Sequence, residues 1–228
     1  MLLPDYWLER PNATAHPGSE AAFDALLEST LRAGGCPEIP FTLPSNKWQF
    51  LCHVAEHHDI VLHGSGDPNI AVFEPRQSND LIEFGNQKAV YAASDGIWPI
   101  FFAVVDRERY AISVANACVQ IADPAGVVHG PYYVFSISRP ALARQPWRTG
   151  TVYLLPRQTF AAQSPVPFGS NEVRIAQLAS TQPVRPLAKI TVAPSDFPFL
   201  HQIRGHDDQR LQEYAMAMQT GAPWPEDI

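Results

Sequence analysis

The chain has 228 residues, 46% of them hydrophobic and 17% charged, which is enough apolar material to bury a full core in one globular domain. A formal charge of −7 and a pI near 5.5 argue against a broad nucleic-acid or anionic-membrane surface, because each needs clustered Lys and Arg. No basic segment leads into an apolar one at the N-terminus and no run reaches the length of a membrane helix, so the expectation is a soluble, cytoplasmic protein.

Residues 1–18 are rich in Pro and polar groups and predict an irregular arm. Ser19 is a candidate cap for a helix in which Ala22, Phe23, Leu26, Leu27 and Leu31 recur at helical spacing, ended by Gly34-Gly35. A second helix is expected from Ser45 to about His57, with Trp48, Phe50, Leu51, Val54 and Ala55 as its apolar positions. Residues 1–57 thus read as an arm and a helical cover. Strand character follows. Residues 60–63 form an apolar run broken by the turn signal Gly64-Ser65-Gly66-Asp67-Pro68, and residues 89–92 form another that ends at Asp95-Gly96. Residues 97–105 suit a buried helix, since Pro99 fits a first turn but not a central strand.

Further strands are expected at 113–121, 132–137, 151–155, 173–178 and 188–192, and a last helix at 206–219. The 22 prolines sit mostly between apolar runs, as in a sheet-rich fold with constrained connections. Helices first and then many short strands, without alternating βαβ units, predict an α+β fold. The core would span 58–200, with a C-terminal helix and tail at 201–228. Cys36, Cys52 and Cys118 are odd in number and lack metal-ligand spacing, so they read as free thiols in a reducing compartment.

Three short stretches carry chemistry: Val61-Leu62-His63-Gly64-Ser65, Ala89-Val90-Tyr91-Ala92-Ala93 and Ser170-Asn171-Glu172-Val173-Arg174-Ile175. Each sets a polar or aromatic side chain at the end or edge of an apolar run, giving His, Tyr and Glu in that order. The set resembles the His-Tyr-Glu branch of the ADP-ribosyltransferase superfamily, whose split antiparallel sheet clamps NAD. The stretch from Asn171 to Ile175, followed by Val184-Arg185-Pro186-Leu187-Ala188-Lys189-Ile190, looks like the last block of poly(ADP-ribose) polymerase-type domains.

The resemblance implies cleavage of the nicotinamide–ribose bond of NAD and transfer of ADP-ribose to an unknown acceptor, protein or small molecule. By it Glu172 would be catalytic, His63 would bond a ribose hydroxyl and the Gly64 backbone would pair with the nicotinamide carboxamide, with Ser65 beside them. Tyr91 would stack on the ring, with Phe102, or its neighbour Phe101, as the second face. A carboxylate under the ribose is what the reaction asks for, because the transition state is an electron-poor oxocarbenium. Arg76, in a polar loop with Asn79 and Asp80, would suit a diphosphate. Two departures stand out. Ser170 occupies the position of the second Glu that arginine-modifying members carry, and Asp95-Gly96-Ile97-Trp98-Pro99 replaces the Ser-Lys-Ser stretch of the polymerases.

Three other readings stay open. The same fold can serve as a non-catalytic module that binds a nucleotide or a protein, or can transfer an RNA phosphate to NAD, although the acidic balance disfavours an RNA partner. His53-Val54-Ala55-Glu56-His57 matches the His-x-x-Glu-His pattern of inverted zinc peptidases, with both imidazoles on one helix face. No third ligand is evident downstream, so a polar helix end is the preferred account and no metal site is assigned.

Overall fold

The computed structural model describes residues 3–12, 18–78 and 83–225. In chain order the helices are α1 (Ser19–Leu31), α2 (Lys47–His57), α3 (Trp98–Val104), α4 (Arg139–Leu142) and α5 (Leu211–Thr220). The strands are β1 (Leu8–Glu9), β2 (Ile60–Ser65), β3 (Arg76–Gln77), β4 (Lys88–Ala93), β5 (Val114–Ala122), β6 (Val128–Ser138) and β7 (Gly150–Pro156). They continue with β8 (Ala161–Ala162), β9 (Val166–Phe168), β10 (Asn171–Ile175), β11 (Gln177–Ser180), β12 (Ala188–Val192) and β13 (Arg204–His206). Two sheets result, ordered β1-β6-β5-β10-β9 and β12-β7-β2-β4-β11-β8, with β13 added beside β6 and β3 beside β4. Among the described residues, the named strands all pair antiparallel except β13 with β6, so the α+β class holds.

The two sheets share one run of chain. Ala176, between β10 and β11, donates its N–H to Cys118 of the first sheet and accepts from the Ser94 N–H at the end of β4 in the second, each at 2.9 Å. What the sequence presents as one strand at 173–178 is therefore two, split at Ala176.

Alternation along the strands assigns each face of the second sheet. Ile60 and Leu62 of β2, Val152 and Leu154 of β7 and Ala93 of β4 belong to the main core with α3, α1 and α2. Val61, Val90, Ala92, Tyr153, Leu155 and Leu178 point the other way, into a smaller cluster closed by Phe73 and Val184. The main core also takes Phe23 and Leu27 of α1 and Phe50 and Leu51 of α2, so the helical cover and the sheets are buried together. Among the described residues no helix is long and apolar enough to cross a membrane.

Asp95 fixes how α3 starts. Its Oδ1 accepts the N–H groups of Ile97 and Trp98 at 2.8 Å, while Oδ2 accepts the Tyr133 hydroxyl at 2.7 Å and Arg10 at 3.0 Å. Arg10 also reaches Glu56 at the end of α2. Gly96 completes the junction: a Cβ there would lie 2.1 Å from the backbone nitrogen of Cys52, so α2 can seat only on a glycine.

Several expectations are corrected. The arm is not wholly irregular, because β1 pairs with β6 at Leu8–Tyr133 and Glu9–Tyr132. The N-cap of α1 is Gly18, in a left-handed conformation (φ 82°), and Ser19 is already helical. The second helix begins at Lys47 rather than Ser45, capped by Asn46, whose N–H is accepted by Gln49 Oε1 at 2.8 Å. The last helix begins at Leu211 and not at 206, because residues 204–206 are drawn into the first sheet as β13. Asn79 and Asp80 lie outside the described residues.

Candidate functional site

β2 and β4 are joined at a single pair, Leu62 with Ala93, although β2 stays paired with β7 along its whole length. One residue further along β2, the His63 side chain takes over. Its Nδ1 lies 2.6 Å from the carbonyl oxygen of Tyr91. A carbonyl only accepts, so Nδ1 carries the proton and Nε2 is left as an acceptor. Burial and the nearby Arg76 charge both hold the imidazole below its usual value, against the opposing effect of the Tyr91 bond, so His63 is neutral at pH 7. Next along the strand, Gly64 forms no pair with β4 among the described residues. Its edge toward β4 is open where the two strands part.

Gly64 has a second reason to be glycine. A Cβ there would lie 1.8 Å from the carbonyl oxygen of Pro99, so the first turn of α3 presses directly on it. Ser65 is engaged in the turn that follows, its Oγ accepting the Asp67 N–H at 3.1 Å. Arg76 stands exposed on β3, opposite Ala89. Phe102 is half-buried on α3, 6.3 Å from the Trp98 ring. The Tyr91 hydroxyl does not project freely: its one proton lies between the carbonyls of Gln87 (2.9 Å) and Phe84 (3.2 Å), and its oxygen accepts the Gln87 N–H at 3.0 Å, which fixes the ring beside its own strand.

His63 and Tyr91 are thus neighbours, yet their side chains leave the sheet on opposite faces. His63 shares its face with its partner Tyr153 and touches the Phe73 ring at 4.7 Å, on the side of the small cluster. Tyr91 shares its face with Ala93, toward α3.

Glu172 is not brought to either residue. It lies in β10 of the first sheet, paired with Ala122 and Pro167, and its side chain is exposed along with that of Arg174. The residue that the fold does set beside the tyrosine strand is Gln177, five positions on and about 16 Å away along extended chain. Gln177 pairs with Ala93 and shares the face of Tyr91. Sequence reading missed it because an Asn-Glu pair before an apolar run is a louder signal than a lone Gln. The break at Ala176 that moves Gln177 into the second sheet has no local spelling.

The two imidazoles of the His-x-x-Glu-His pattern do share one face of α2, stacked with centroids 4.5 Å apart, but the groups around them are engaged. Glu56 is bound to Arg10, and His57 Nδ1 donates to the carbonyl of His53 at 3.1 Å. A broad open recess of about 910 Å³ lies elsewhere, lined by Asp5, Arg139, Arg204 and Trp224 among others, and none of the sequence-predicted site residues reaches it. Beside it a polar network surrounds the fully buried His206, whose Nε2 is 2.7 Å from Ser113 Oγ and whose Nδ1 is 2.8 Å from Ser136 Oγ.

No family model matches the chain, and no curated protein and no solved structure matches it either.

Proposed function

We propose that the protein binds NAD at the parting of β2 and β4, as an ADP-ribosyltransferase-like module in which the catalytic carboxylate is not in place. The observation that carries this reading is the unpaired Gly64 edge. A strand edge with a free donor and acceptor is the complement of a flat carboxamide, and no side chain stands between them. A neutral His63 with Nε2 free to accept a hydroxyl proton supports a ribose beside it. The Tyr91 ring, fixed by its own hydroxyl bonds, offers a rigid aromatic wall on the opposite face of the sheet from His63, so a ligand that meets both lies across the opened strand edge at Gly64.

Cleavage of the nicotinamide–ribose bond needs an anion near the ribose. Gln177 stands at the corresponding end of β11 and offers a neutral amide, while the Glu172 carboxylate is in the other sheet. Binding without efficient turnover follows. ADP-ribosyl transfer through Glu172 to an unnamed acceptor is the competing reading.

Calorimetry with NAD and with nicotinamide, paired with a nicotinamide-release assay, separates the two. Wild type is expected to bind NAD, Tyr91→Ala to weaken binding at least about tenfold, and Glu172→Gln to bind and release nicotinamide as wild type does. Gln177→Glu is expected to raise release. An absence of NAD binding removes the reading altogether. Turnover by wild type that Glu172→Gln abolishes returns the catalytic role to Glu172.

A further inference from the structure

Between α1 and α2 three side chains gather that the strand parting does not use. Asp24 Oδ1 lies 2.7 Å from His53 Nε2 and 2.8 Å from His58 Nε2. All three donor atoms are within 4.8 Å of one another. The two histidines are five positions apart, which on a continuing helix would point them about 140° from each other. The helix stops instead. At His58 the backbone is extended (φ −123°, ψ 158°), and the imidazole swings back onto Asp24.

Packing already holds the inner ligand. His53 stacks on His57 with ring centroids 4.5 Å apart and 20° between planes, and lies 5.5 Å from Phe23. Its side chain is 8% exposed, against 29% for His58 and 46% for Asp24, so the cluster is closed toward the core and open toward solvent. Two imidazole nitrogens and one carboxylate oxygen, with a free direction to water, form the donor set of a four-coordinate Zn²⁺ site. A tetrahedral ion with bonds of about 2.0–2.2 Å would hold the ligand atoms about 3.3 Å apart. The two Asp24 separations would open by about half an ångström, and the two imidazole nitrogens already lie within 4.8 Å of each other.

We propose that Asp24, His53 and His58 bind one Zn²⁺ ion, completed by water, that clamps α1 to α2. This pairing of His53 with His58 and Asp24 is not the His-x-x-Glu-His arrangement, since Glu56 is held by Arg10 and His57 stacks on His53 with its Nδ1 on the His53 carbonyl. The ion would add to the stability of the helical cover independently of any ligand at the strand parting.

The test uses the full chain, stripped by chelator and titrated with ZnCl₂ by calorimetry, with Co²⁺ as a spectroscopic substitute. One ion per chain and a four-coordinate Co²⁺ absorption are expected. Asp24→Asn and His58→Ala should each weaken zinc binding at least about tenfold while keeping wild-type circular dichroism. Zinc should raise the Tm of wild type but not of these two variants. His129→Ala, at the exposed pair with Asp123, serves as the control and should leave affinity unchanged. No binding at micromolar zinc overturns the proposal, as does equal affinity in wild type, Asp24→Asn and His58→Ala, or a loss confined to His129→Ala.

Discussion

At the scale of single residues, Asp95 draws together partners from three distant parts of the chain. Its carboxylate is nearly buried and receives two backbone N–H groups, a tyrosine hydroxyl and a guanidinium. Removing it leaves two N–H groups at the start of α3 and the Tyr133 hydroxyl without their acceptor, and takes from Arg10 one of its two carboxylate partners. Asp95→Ala is therefore expected to cost about 3–5 kcal/mol, measured by urea denaturation. Asp95→Asn, which keeps one acceptor for Ile97 and Trp98, should cost less. A loss under about 1 kcal/mol in the alanine variant would refute this account. In the sequence Asp95-Gly96 reads as a turn after a strand, and that reading is right locally. Its partners Arg10 and Tyr133 are far away in the chain, so their convergence on it could not be read.

At the scale of elements, what matters is where strands stop pairing. β2 keeps β7 as a neighbour throughout but parts from β4 after Leu62, and α3 fills the space on one side by resting on Gly64. Gly64→Ala is expected to destabilise by about 3 kcal/mol or more, because the clash is with backbone and cannot be relieved by a rotamer change. Gly18→Ala is the useful contrast. Nothing lies within 4 Å of a Cβ there and only the left-handed φ of 82° is strained, so about 1–2 kcal/mol should be lost. Equal losses in the two variants would mean that α3 does not rest on Gly64. The strands around His63 and Tyr91 and the buried helix with Pro99 in its first turn were all legible from apolar runs and punctuation. The short strands β8, β9 and β13 were not, since two or three residues carry no periodicity.

At the scale of the whole molecule, burial sets the response to pH. His63 and His206 are both held below the ordinary imidazole value chiefly by desolvation; for His206, Asp208 and Asp207 oppose that effect and Arg139 reinforces it. Between the lowered native values and the unfolded value near 6.5, the unfolded chain binds more protons, so stability rises with pH there. Acidification below about pH 6.5 should lower the unfolding free energy by up to about 1.4 kcal/mol per pH unit for each histidine. Urea titrations at several pH values read this slope, and His206→Gln should reduce it. A stability that is flat or increases on acidification through that range would contradict it. The amino-acid sequence by itself determined the α+β class and the positions of most long elements, because periodicity, proline placement and glycine turns act over a few residues. Only the tertiary structure decided that Glu172 and Gln177 fall in different sheets, that His63 and Tyr91 face opposite sides, and that His58 rather than His57 meets Asp24. Each depends on where pairing switches or a helix ends, which is settled by competition among distant segments for the same backbone partners and the same buried volume.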